Sequence, residues 1–182
     1  MMTDLHSNYE THVLIENWEG KYKSERNKGV ATEIIWAFLV NKLKELRIIV
    51  AGSRDFNDFK LLWKSVEKIQ RDIVAEKFRD LSRVCIVSGT ARGADQLGEL
   101  YAERTGLHTY RFPADWDGLG KRAGYVRNAE MAKFAVKDGN YGVLVAFWDG
   151  KSKGTKHMID LANKYGLEVY VVNYKELSWW IY

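Results

Sequence analysis

The chain has 182 residues, 46% hydrophobic and 29% charged, which suits one globular domain with a sizeable core. Its single cysteine, Cys85, excludes an intramolecular disulfide framework and a cysteine-cluster metal site, and fits a reducing, cytoplasmic setting. The net charge of +4 permits an anionic ligand without demanding nucleic acid; no run approaches about 18 apolar residues, so no membrane-spanning helix is expected, and the first residues lack the basic-then-apolar order of a secretory signal.

Residues 1–45 are set apart as an N-terminal extension, and residues 46–182 form the main domain. Residues 1–27 are polar and show no period. Residues 30–46 read as a helix, because Ile35, Phe38, Leu39, Leu43 and Leu46 recur at helical spacing and make one apolar face. That face is expected to pack on the main domain or to serve a homo-oligomer contact. A regular alternation then begins. Residues 47–52 are a short β-branched run ending at Gly52, a buried strand. Residues 57–80 form a long helical pattern with Leu62, Val66, Ile69 and Ile73 on one face. Residues 84–88 are a second strand, and 94–104 a second helix with Leu97, Leu100 and Tyr101 inward. Residues 108–112 make a third strand stopped by Pro113, followed by a helix over 123–135. Residues 143–148 are so continuously apolar that burial on both faces is expected. A helix over 155–164 closes at Gly166, and residues 169–172 are a fifth strand. The apolar tail, Trp179 to Tyr182, is expected to cover the N-terminal helix or a second subunit. This order predicts an α/β fold: a Rossmann-like, doubly wound, mainly parallel sheet with helices on both faces.

In such a sheet ligands bind beyond the carboxyl ends of the strands, where the strand order reverses. With strand order 3-2-1-4-5, strands one and four flank that point. Four loops then converge. The first carries Gly52, Ser53 and Arg54. The second carries Ser88, Gly89, Thr90, Arg92, Gly93 and Asp95. The third holds Asp115 and Trp116 and runs on to Lys121, Arg127 and Asn128. The fourth holds Asp149, Gly150, Lys151, Ser152, Gly154 and Thr155. Gly89 and Gly93 let backbone approach a ligand closely, and the helix starts just after them. Free N–H groups at that helix start, and again at Gly154 and Thr155, suit a phosphate. Arg54, Arg92, Lys121, Arg127, Lys151 and Lys153 could add charge-assisted hydrogen bonds. Asp95, Asp115 and Asp149 offer acceptors for ribose hydroxyls or base N–H groups, but their spacing specifies no metal. The chain's fifteen glycines against one proline reflect this concentration of backbone freedom in the loops.

The familiar nucleotide motifs are absent. Gly150, Lys151 and Ser152 mimic the end of a P-loop, yet Val145 stands where its first glycine belongs. No G-x-G-x-x-G follows the first strand and no G-x-S-x-G elbow occurs. His157 falls near the site as a solvated or capping group, His108 lies on the opposite edge, and Cys85 reads as a small buried hydrophobe. No cofactor is expected.

Taken together, the four loops resemble the YspA/YpsA-related branch of the SLOG superfamily, named after DNA-processing Smf/DprA proteins and the LOG phosphoribohydrolases. The resemblance runs over residues 46–174 and leaves 1–45 outside. It implies a Rossmann-like fold and a nucleotide or nucleotide-derived ligand in the crevice, bound by a sensor or a processing protein. A second expectation is a LOG-like hydrolase of a nucleotide N-glycosidic bond, with Asp95 and Asp149 as its carboxylates. LOG-like hydrolases carry a Gly-Gly-x-Gly-Thr loop followed by glutamates. Here Gly154 and Thr155 are followed by Lys156, His157 and Met158, and the first acid is Asp160. A third expectation is DprA-like DNA binding, which the lack of a dense basic run disfavours.

Overall fold

The computed structural model describes residues 44–77, 81–175 and 178–181. In chain order these form β1 (Lys44–Gly52), α1 (Phe59–Lys77), β2 (Leu81–Ser88), α2 (Ala94–Thr105) and β3 (His108–Arg111). A four-residue helix α3 (Trp116–Leu119) and a 3-10 turn (Gly120–Arg122) lead into α4 (Ala123–Val136). Then come β4 (Tyr141–Trp148), α5 (Lys153–Lys164), β5 (Glu168–Asn173) and β6 (Ser178–Ile181).

The six strands lie in the order β3-β2-β1-β4-β5-β6. The first five are parallel and β6 runs antiparallel on the edge beyond β5. The central strand explains the layering. Along β1, Ile48 and Val50 face one side while Ile49 and Ala51 face the other, as a period of two demands. Ile48 and Val50 join Leu62 and Val66 of α1 and Tyr101 and Ala102 of α2 in one core. Ile49 and Ala51 join Met131 and Ala132 of α4 and Met158 and Ile159 of α5 in the other. β4 is buried on both faces through Val143–Phe147, so its alternation is hidden beneath uniform apolarity. The fold is the Rossmann-like α/β sheet that the alternation predicts, and the order reverses between β1 and β4.

Two expectations change. The helix read over residues 30–46 cannot reach its end, because Lys44, Glu45 and Leu46 open β1, with Leu46 opposite Val84 and Tyr141. Pairing with two strands, and not the helical spacing of Leu43 and Leu46, decides it here. The rest of that helix lies outside the described residues. The tail, expected as a cover, supplies the edge strand β6, with Tyr182 outside the described residues. Among the described residues, no helix is long and apolar enough to cross a membrane. Cys85 is buried in β2, and burial pushes its thiol up to about 11, so it stays protonated.

Candidate functional site

The loops after β1 and β2 are pressed together. The Ser53 N–H donates to Phe147 O at 3.0 Å, tying the end of β1 to β4. A Cβ on Gly52 would lie 2.3 Å from that same Phe147 oxygen. Gly93 has φ +90, and a Cβ there would lie 2.4 Å from Ser53 O. Arg54 is thereby carried into the crevice by backbone that has no room to shift. The Ser53 hydroxyl is buried beside the Asp149 carboxylate.

The β2 loop is organised from within. Ser88 Oγ accepts from the Thr90 N–H at 3.0 Å and donates to Glu99 Oε1 at 2.7 Å. Thr90 sits at φ +59, a conformation that a β-branched residue seldom adopts. Asp95, on the first turn of α2, is only 3% exposed. Its carboxylate accepts from the Ala91 N–H at 3.4 Å and faces the N–H groups of Gly89 and of Asp95 itself. Of the N–H groups at the start of α2 that the sequence offers to a phosphate, that of Asp95 is turned toward its own carboxylate. Burial pushes Asp95 up to about 6, against the opposing pull of Arg127 and those N–H groups.

That shift has a definite sign. A carboxyl raised from 3.8 to about 6 on folding binds more protons in the folded than in the unfolded chain over that interval. Its contribution to stability is therefore greatest below about 3.8 and is lost as pH rises through about 6. Denaturant titration at several pH values should show the wild type losing ground to Asp95→Asn between pH 4 and 6. A constant difference between the two proteins would contradict this.

Helix α4 supplies the partner. The Arg127 guanidinium lies over Gly89, where any side chain would collide with it, and its Nη1 donates to Gly89 O. Nη1 also stands 3.4 Å from Asp95 Oδ2, with both side chains largely buried. Arg127 Nε donates to Asn128 Oδ1 at 3.0 Å. Asn128 in turn donates from Nδ2 to Gly154 O at 3.2 Å, linking α4 to the first turn of α5. His157 stands 3.5 Å from the same Nδ2, its ring edge-on to Tyr125 at 4.6 Å.

The β4 loop turns on Asp149. Its Oδ1 accepts from the Lys151 N–H at 3.0 Å and the Ser152 N–H at 2.7 Å. Burial would raise this carboxyl, but those N–H groups and the Ser53 hydroxyl nearby outweigh it and hold Asp149 below its ordinary value. Ser152 caps α5, accepting from the Thr155 N–H and the Thr155 hydroxyl.

Two adjoining clefts open between these loops. The larger, about 370 Å³, is walled by Arg54, Gly89, Thr90, Ala91, Arg92, Ala114, Trp116 and Arg127. The smaller, about 190 Å³, includes Gly52, Asp95, Lys121, Asn128, Ser152, Gly154 and Thr155 in its walls. Arg54, Ala91, Trp116 and Arg127 belong to both. Trp116 is half exposed, and the Arg54 guanidinium lies 5.7 Å from its ring centre. Among the described residues no cluster of three or more His, Cys, Asp or Glu could hold a metal ion.

The remaining residues expected at the site lie outside these walls. Ser53, Ser88, Gly93 and Asp149 shape the loops. Asp115 caps α3, accepting from the Gly118 N–H at 2.8 Å. Gly150 and Lys151 stand exposed on the outer turn. Sequence reasoning missed Tyr125 and Met158, which line the smaller cleft. Tyr125 carried a usable signal: an aromatic in the first turn of a helix, two residues before Arg127. Met158 carried none, being apolar and buried like any core residue.

The profile of the YspA, cpYpsA-related SLOG family matches residues 46–118, which span β1 through α3. Gene 61 protein of Mycobacterium phage D29 is 31% identical over 128 residues, covering 68% of this chain and 93% of its own length. The X-ray structure of DNA processing protein A from Streptococcus pneumoniae is similar with a TM-score of 0.46 at 20% identity, over 72% of this chain. The chain spans about half the length of that protein, 51%.

Proposed function

Because the chain belongs to the YspA, cpYpsA-related SLOG family, we propose that it binds a nucleotide or nucleotide-derived ligand in the paired clefts, as a sensor or a processing protein. The observation that carries this reading is the wall common to both clefts, which sets two guanidinium groups, Arg54 and Arg127, beside the exposed ring of Trp116. A phosphate lies between the two arginines, with the Ser152–Thr155 turn of α5 within the smaller cleft to help hold it. The base stacks on Trp116. Asn128 and Asp95 position Arg127. The clefts mix these cations with Asp95, and Asp55, Asp115 and Asp149 occur in the same loops, which suits a small ligand with phosphate and hydroxyl groups better than a long polyanion. Binding is favoured over N-glycosidic hydrolysis because Asp95 and Asp149 are both engaged by loop N–H groups. A ligand of this kind and the single reduced cysteine fit a cytoplasmic protein.

Isothermal titration against nucleoside mono- and diphosphates, cyclic dinucleotides and ADP-ribose tests the reading. Binding by a member of this panel, weakened in Arg54→Ala, is expected; no heat from any member would overturn it. Trp116→Ala should weaken the binding member by about 10- to 100-fold, as loss of one stacked base costs about 1–3 kcal/mol. Its thermal midpoint should hardly move, since the ring is half exposed on a four-residue helix. An unchanged affinity would remove Trp116 from the base site.

A further inference from the structure

Arg127 is shared between acceptors of the fold and the open clefts. Its guanidinium serves Gly89 O, Asp95 Oδ2 and Asn128 Oδ1, and it still forms part of the wall of both clefts. Asp95 lies behind it in the smaller cleft, within the same buried cluster. An anion that reaches Arg127 from the cleft must share it with a carboxylate already there.

We propose that Arg127 is divided between Asp95 and the bound anion, so that anion binding in this cleft is coupled to proton uptake by the Asp95 carboxylate. This rests on the nucleotide-binding reading and adds a regulatory property to the same site. Two negative charges facing one guanidinium in a desolvated pocket cannot both be held at low cost, and the one that can take a proton from solvent does so. The balance is simple: one proton passes from bulk water to a carboxylate oxygen of Asp95, and no other bond forms or breaks.

The surroundings of Asp95 favour this outcome. From α4 it meets Arg127, and from its own loop the N–H groups of Gly89, Ala91 and Asp95. From the β1 loop Arg54 acts on Arg127 as a like charge, and Lys121 shares the smaller cleft. Ser152 and Thr155 of α5 are uncharged, and His157 approaches Asn128. Burial already brings Asp95 to about 6, so one more negative neighbour moves its titration toward neutral pH. Asp95 is then a positioning residue. Charged, it competes for Arg127; protonated, it releases the arginine to the anion. Affinity should rise as pH falls.

Sulfate is the probe, because it keeps the same charge from pH 5 to 8. Carbon-13 NMR follows the Asp95 carboxyl, and the Arg127 Nε–H resonance reports contact with the anion. In the free protein Asp95 should titrate near 6. With saturating sulfate its midpoint should rise by about one unit. Sulfate affinity should strengthen several-fold from pH 7.5 to 5.5, and Asp95→Asn should lose that dependence. An Arg127 resonance that responds to sulfate while the Asp95 midpoint stays fixed overturns the proton coupling and leaves the binding reading intact. Sulfate that moves neither overturns both. The wild-type NMR titration decides the matter even if Asp95→Asn fails to fold.

Discussion

Alanine at Gly93 is expected to lower the stability of the domain by about 2–6 kcal/mol and to weaken ligand binding in whatever fraction stays folded. Gly93 has φ 90 and ψ −128, a region essentially reserved for glycine. Forcing another residue there costs about 1–3 kcal/mol. A Cβ would also lie 2.4 Å from Ser53 O and 2.9 Å from the Arg54 backbone. Those are main-chain atoms, which cannot rotate away, so the loops after β1 and β2 must part; overpacking of this kind adds about 1–3 kcal/mol. Arg54 leaves its place in both clefts as they part. Gly150→Ala is the control. It also sits at positive φ, +76, but its Cβ would meet nothing within 4 Å. It should lose only the conformational part, about 1–3 kcal/mol. Denaturant titration of the two variants measures the difference. Equal losses would mean that the contact between the two loops is unimportant.

Removing the Arg127 side chain should have the largest effect on binding. Arg127→Ala is expected to weaken the nucleotide that binds by about 30-fold or more, the scale of truncating a buried charged partner at about 2–5 kcal/mol. It should also destabilise the fold, because Asp95 loses its ion pair while remaining buried; a carboxylate so orphaned costs about 3–5 kcal/mol. The sign with pH follows. Without Arg127 the folded-state value of Asp95 rises above about 6, so the protonated form escapes the penalty. The variant should be closer to wild type at pH 5 than at pH 8. The double variant Arg127→Met/Asp95→Asn should regain much of the stability at pH 8 and none of the binding. Recovery of both would place the phosphate elsewhere.

Much of this was legible in the chain. Continuous apolar runs at 47–52 and 143–148 marked the two central strands, because strands buried on both faces need no polar side chains. Four glycine-bearing loops at the ends of successive strands pointed to the candidate site, since topology alone delivers those ends to one edge. Partnerships across the chain were not legible. Asp95 looked like a free acceptor, and only the approach of Arg127, 32 residues later, and burial by the β2 loop show it to be occupied. Asp149 looked like a ribose contact, while its carboxylate holds the turn to α5. Helix α3 is four residues long, too short for any periodicity, and rests on the Asp115 cap. Leu46 fitted a helical spacing equally well, and strand pairing with β2 and β4 claimed it.

The most direct test of the central claim is amide chemical-shift mapping of the wild-type domain as the binding nucleotide is added. Shifts are predicted to concentrate at Gly52 to Arg54, Gly89 to Arg92, Trp116, Arg127 and Ser152 to Thr155, all on the carboxyl edge of the sheet. Shifts confined to the opposite edge, around Lys44 to Arg47 and His108, would contradict the account.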